Sequence, residues 1–238
     1  MKRILSTLSQ KWPEYLIEAI VIVASILGAF SLDNWNDERK ESRENTKFLL
    51  ALKYELEQDT SAVNDRLTSY RRINQRMVDI KGILDSDHSL DDAENDLLAH
   101  SIDEIEILTP VNKNIGKNDA MLAKGMLENI DPELNRDYLA YLEYTQYSND
   151  MVKKMGEQML HMVLLDVYPR IDLDYEISDQ KSPTTQVQFN IEELRGSRNF
   201  KNAINRSMLY RNVHTRTSAY RIELASSLLL RIDSLLGK

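Results

Sequence analysis

Apolar and polar positions follow different periods along this chain, and each period predicts an element. From Ala19 to Leu32 fourteen consecutive residues carry no charge, and all are apolar or small. Trp12 and Tyr15 stand at one end and Trp35 at the other, where amphipathic rings settle at headgroup level. As a helix, Tyr15–Trp35 would be roughly 31 Å long, matching a hydrocarbon core of about 30 Å. This predicts a transmembrane helix over 15–35, behind a short tail of residues 1–14. A cleaved leader fits less well: Gly28, Ala29 and Ser31 are small, but no clean small-x-small site precedes a plausible mature start. Residues 36–47 form a polar neck whose acids and bases sit at helical spacing, as in Asp37 with Lys40 and Lys40 with Glu44.

From Leu49 the period changes to a heptad. Positions 49, 52, 56, 59, 63, 66, 70, 73, 77, 80 and 84 are apolar except for Asp59 and Arg66, which predicts a coiled-coil or bundle seam. An unbroken helix from Pro13 to Leu84 would measure roughly 108 Å, the length of a stalk. Buried polar residues at such positions can set register and partner choice. The plainer reading puts both at a partly exposed rim.

Asp85-Ser86-Asp87-His88 breaks this helix, and Ser89 with Asp92 resembles a capping box for a second one over about 90–107. Pro110 and Gly116 bracket a loop, followed by a short helix to about Ile130. Asp131-Pro132-Glu133 is a helix start, with Asp as cap and Pro in the first turn; that helix should reach Tyr168 and stop before Pro169. Residues 169–190 lack a helical stripe and read as a long loop, with room for a short strand. A last helix over about 199–236 shows a stripe of Leu209, Val213, Tyr220, Leu224, Leu228, Ile232 and Leu235. The fold class is all-α: a transmembrane helix continuing into a long helix, then an antiparallel bundle or coiled-coil body over 48–238.

Composition agrees. Only 7 Gly and 5 Pro occur in 238 residues and 29% are charged, as in long helices joined by few turns. Net charge is −8, and the portion after Glu18 is more acidic still. An acidic body argues against nucleic acid or anionic lipid as its partner. With no cysteine, thiol catalysis, disulfides and thiolate metal sites are excluded. Lys2, Arg3 and Lys11 precede the span, whereas Arg39, Lys40, Arg43 and Lys47 follow it, so the positive-inside count is nearly balanced. The net-positive leading flank favours a cytoplasmic N-terminus and a periplasmic body.

One segment carries a resemblance. A span containing Glu18 ends in Asn34-Trp35-Asn36-Asp37-Glu38-Arg39-Lys40, followed by KFLLALKYELEQD, Thr109-Pro110 and an acidic-Pro-Glu-Leu helix start. The chain resembles an uncharacterised family of single-span bacterial envelope proteins, classed as a domain of unknown function. The likeness covers most of the chain and is most specific over residues 15–58. It implies an N-terminal anchor and a helical body, and no activity. Ile17 departs from the family's Gly before the span carboxylate.

The candidate chemistry is sparse. Glu18 lies one turn inside the span. It reads equally as a membrane-interface carboxylate or as one snorkelling to the headgroups. It shares a face with Ser25 and Ala29, while Ala24 and Gly28 form a small-xxx-small pair that lets helices approach closely. A short tail, a carboxylate-bearing span and an exported domain also form the layout of motor stator subunits, an analogy of layout only. The acidic run from Asp85 to Asp96 fails as an EF-hand, with Leu90 where Gly belongs, and the four histidines lack paired ligand spacing. Tyr138, Tyr141, Tyr144 and Tyr147, with several Met beyond, read as core first and contact surface second. No catalytic constellation, cofactor or metal motif is visible. The expectation is a non-enzymatic membrane protein that presents a bundle to protein partners, as a homo-oligomer or in a membrane complex. The alternative is a sensory, ligand-binding or motor-like accessory subunit coupled through Glu18.

Overall fold

The computed structural model describes residues 2–102, 104–105, 125–176 and 184–237; the expected loop from Thr109 and Pro110 to Gly116 lies outside them. The fold is all-α. The chain divides into two units, Met1–Ala51 and Leu52–Lys238. Helix α1 (Lys2–Asp85) supplies nearly all of the first unit. It begins earlier than expected and runs through Pro13, which forfeits one backbone hydrogen bond there. Every side chain from Leu16 to Glu44 is exposed, and none of the apolar window is covered by protein. A soluble core helix with this composition would be buried, so the stretch is compatible with a single membrane span. Just beyond it the Arg39 guanidinium sits 5.4 Å from the Trp35 ring centre, and Lys40 pairs with Asp37 at 3.3 Å as expected.

The second unit is built on three long helices. These are the body portion of α1, α4 (Pro132–Met162) and α6 (Arg198–Leu235). Lys53 lies 2.5 Å from Asp233 and Lys201 2.9 Å from Asp85, so α6 runs antiparallel to α1. Arg231 meets Asp131 at 2.9 Å and Tyr210 meets Gln158 at 3.0 Å, so α6 is antiparallel to α4 as well. In all three helices buried positions recur at alternating steps of three and four. On α4 they are Leu134, Tyr138, Tyr141, Thr145, Ser148, Val152, Met159 and Met162.

Shorter elements close the far end of the bundle: α2 (Asp92–Ile102), α3 (Met126–Ile130) and α5 (Ile191–Gly196). The capping box of α2 sits two residues beyond the expected Ser89–Asp92 pair. The Glu94 amide donates to Asp91 Oδ1 at 2.8 Å and the Asp91 amide donates to Glu94 Oε2 at 3.2 Å. Glutamate reaches back to the cap amide where the shorter Asp92 would not. Asp131 caps α4 as expected, accepting from the amides of Glu133 and Leu134 at 2.9 and 3.1 Å.

Two expectations about the stretch after α4 need correction. The α-helix stops at Met162 and continues as a π-helical turn, Val163–Val167, then a 3-10 turn, Tyr168–Arg170. The expected long loop contains an antiparallel hairpin of β1 (Ile171–Glu176) and β2 (Thr184–Phe189), in which Ile171 pairs with Phe189 and Leu173 with Val187. Ile171-Asp172-Leu173-Asp174-Tyr175-Glu176 alternates apolar and acidic residues, the period of a strand. The main apolar core lies at this end, where Tyr70, Ile73, Met77 and Ile80 of α1 pack with Leu98, Ile102, Val152, Met159, Phe200 and Ile204.

Candidate functional site

Along α6 the leucine stripe read from the sequence holds only toward the C-terminal end, where Leu228 and Ile232 are buried. Leu209, Tyr220 and Leu235 are exposed. The buried positions are Phe200, Ala203, Ile204, Ser207, Arg211, His214, Ser218, Arg221, Ala225, Leu228 and Ile232. Five consecutive seam positions, Ser207 to Arg221, are therefore polar, with apolar residues at both ends. A heptad fixes which residues are buried by geometry, and here it buries two arginines and a histidine.

Asp59 sets one focus. The notion of a solvated rim fails for it: the residue is 3% exposed. Its Oδ2 accepts from Arg221 Nε at 2.8 Å and from the Tyr141 hydroxyl at 2.5 Å, and its Oδ1 accepts from Arg221 Nη2. Arg221 and Tyr141 are buried too, so the three long helices meet at one carboxylate. Burial, followed by the Asp59 charge, pushes the Tyr141 hydroxyl above the usual tyrosine range and keeps it protonated as a donor. Tyr138 is also buried and stacks on Tyr141, with ring centres 6.1 Å apart. Arg66, the other polar seam residue, is half-buried and stands outside this triad.

Arg211 sets a second focus and is fully buried. Its Nε donates to Asn74 Oδ1 at 2.8 Å, its Nη1 to the carbonyls of Glu104 and Ile105 at 3.1 and 3.4 Å, and its Nη2 to Ser207 Oγ. Ser207 donates in turn to the Ile105 carbonyl at 2.9 Å. The guanidinium thus holds the chain just past the end of α2, where orphan carbonyls need donors. Burial brings its pKa down to about 10. Between the two foci lies His214, 2% exposed, with the Tyr70 ring against it at 5.2 Å. Burial first, then the charges of Arg66 and Arg221, lower its pKa to about 4. Its Nδ1 and the Thr145 hydroxyl are buried without a hydrogen-bond partner.

The arrangement keeps charges in place. The Asp59 carboxylate is occupied by three donors, and no group of three or more His, Asp or Glu side chains gathers as a metal would need among the described residues. Within the run 85–96, Asp85 pairs with Lys201, Asp91 serves the α2 cap, and Glu94 serves that cap and meets His88 at 2.8 Å.

The remaining sequence candidates lie on the first unit. Glu18, Ala24, Ser25, Gly28 and Ala29 are all exposed. Glu18 forms no hydrogen bond or ion pair among the described residues, and Ser25 donates to its own helix at the Val21 carbonyl, 2.7 Å away. A Cβ added at Gly28 would meet nothing within 4 Å, so the small-residue face is open.

Of the four seam candidates the structure joins Asp59, Tyr138 and Tyr141 and leaves Arg66 apart. Sequence reading missed Arg211, His214 and Arg221. Stepping back from Ile232 and Leu228 by threes and fours would have reached them, and a lone seam acid calls for a buried base. No family model matches the chain, nor does any curated protein or solved structure. The resemblance over residues 15–58 rests on those residues alone.

Proposed function

We propose that this chain is a non-enzymatic, single-pass protein of the bacterial cytoplasmic membrane. Its body, on the periplasmic side, offers a helical bundle to protein partners, as a homo-oligomer or within a membrane complex. The observation that carries this reading is the uncovered apolar stretch from Leu16 to Leu32, which needs lipid or partner helices around it. The buried seam supports it from the other side: its polar groups join the three long helices. The test is membrane fractionation with reporter fusions at residue 60 and at the C-terminus, followed by sizing in detergent. Recovery in the soluble fraction, or a body reporter active only in the cytoplasm, would refute the reading. A strictly monomeric species that co-purifies with no other protein would refute the assembly role.

A second reading is coupling of the body to another membrane subunit through Glu18, favoured by that carboxylate lying on an open helix face with no partner among the described residues. Glu18→Gln should then abolish co-purification of the partner while body stability is unchanged. Co-purification that survives the substitution would sink it.

A further inference from the structure

At the end of the bundle where α4 gives way to the π turn, an open cleft of about 630 Å³ lies between α4, that turn and α6. Its size falls within the range of small-molecule sites, about 300–1,000 Å³. Lys154, Glu157 and His161 project along one face of α4, and Arg206 stands opposite on α6; Met162 and Leu165 supply apolar wall. Tyr210 donates to Gln158 across the cleft at 3.0 Å, tying the two helices together.

Two observations mark this cleft. Among the described residues, Lys154, Glu157, His161 and Arg206 form no hydrogen bond or ion pair, although Lys154 and Glu157 are three residues apart on one helix, a spacing that permits pairing. The second observation is the π turn. Such turns are rare and are frequently found at functional sites. Here Leu165 and Asp166 of the turn line the cleft, and the turn is braced. Arg170 donates to the Asp166 carbonyl at 2.7 Å and Asn199 to the Asp166 carboxylate at 3.0 Å.

The cleft thus offers two cations, Lys154 and Arg206, and two carboxylates, Glu157 and Asp166, around an apolar wall. A simple anion would meet the carboxylates, and a simple cation would meet the basic pair. We propose that this cleft binds a small zwitterion with an aliphatic side chain, an amino acid or short peptide. Its carboxylate is held by Lys154 and Arg206, its ammonium by Glu157 and Asp166, and its side chain by Met162 and Leu165. Arginine suits the carboxylate end because its planar fork matches that group. This goes beyond the assembly role and does not depend on it.

The test is calorimetric titration of the full chain, held in lipid nanodiscs, with L-leucyl-L-leucine, its N-acetyl form and its C-terminal amide. The expected result is saturable binding of the free dipeptide with Kd below about 1 mM, weakened at least about tenfold by either cap. Arg206→Gln should erase the penalty for amidation, and Glu157→Gln should shrink the penalty for acetylation. Both side chains are exposed and have no partner among the described residues, so the variants should retain the parent's melting temperature. Absence of saturation by the dipeptide would overturn the proposal. So would equal binding of the capped forms, or binding indifferent to both substitutions.

Discussion

The middle of the bundle and its far end share one geometry and differ in what that geometry buries. Around Met77, Ile80, Leu98, Met159 and Phe200 the seam is hydrocarbon. Around Asp59, Tyr141, Arg211, His214 and Arg221 it is charged or hydrogen-bonding. Hydrocarbon stabilises by area removed from water and tolerates sliding, since one methylene replaces another. A buried ion pair contributes little net stability, because desolvation offsets the attraction, but it is satisfied in only one register. The comparison separates two tasks: the far end holds the helices together, and the middle dictates how they align.

The sharpest way to break that division is to remove one partner in the middle. Asp59→Ala should cost about 3–5 kcal/mol in urea unfolding, because Arg221 is left buried and uncompensated. Replacing the set by hydrocarbon, Asp59→Leu with Arg221→Met and Tyr141→Phe, should instead be neutral or stabilising by about 1–4 kcal/mol. If that triple variant were as unstable as the single one, the middle would be a stabilising centre and the division of tasks would fail.

Acid should loosen the middle and spare the far end. The buried His214 ring stays neutral with a pKa of about 4 against the ordinary 6.5, so the unfolded chain binds its proton more readily. Stability is whole above about pH 6.5 and falls by about 3 kcal/mol as pH drops toward 4. His214→Phe should flatten that slope between pH 6.5 and 4; an unchanged slope would assign it to other groups. A smaller effect is expected for Tyr141→Phe, which leaves the ion pair but removes one donor to Asp59, costing about 1–3 kcal/mol. Smallest is Asp131→Ala, which removes the α4 cap together with the Arg231 pair and should cost about 1–2 kcal/mol. Amide exchange along α4 should show fraying confined to its first turn, and any wider loss of protection would mean that the cap supports the seam.

Much of this fold was legible because periodicity and capping are local. The Asp131-Pro132 start, the break after Asp85 and the seam of α1 follow from neighbours in sequence. The hairpin was read only as a loop with room for a short strand, although Ile171, Leu173 and Tyr175 alternate with acids. The polar seam of α6 was missed for a different reason. The stripe was sought among leucines, whereas burial follows position, and His214 or Arg221 has no apolar mark to give it away. Asp59 could be flagged on its seam, but its partners stand 82 and 162 residues away. That pairing is settled only when three helices assemble.

The order of those partners along the chain sets a condition on how the body is made. Asp59 and Tyr141 precede the helix that carries Arg221, and that helix of 38 residues also holds Arg211 and His214. A nascent chain lacking it has Asp59 and the Tyr141 hydroxyl in its seam and no arginine to balance the charge, so closure of the middle should wait for α6. Ribosome-arrested chains that end before Ile191 should then be cut by added protease faster than the full chain.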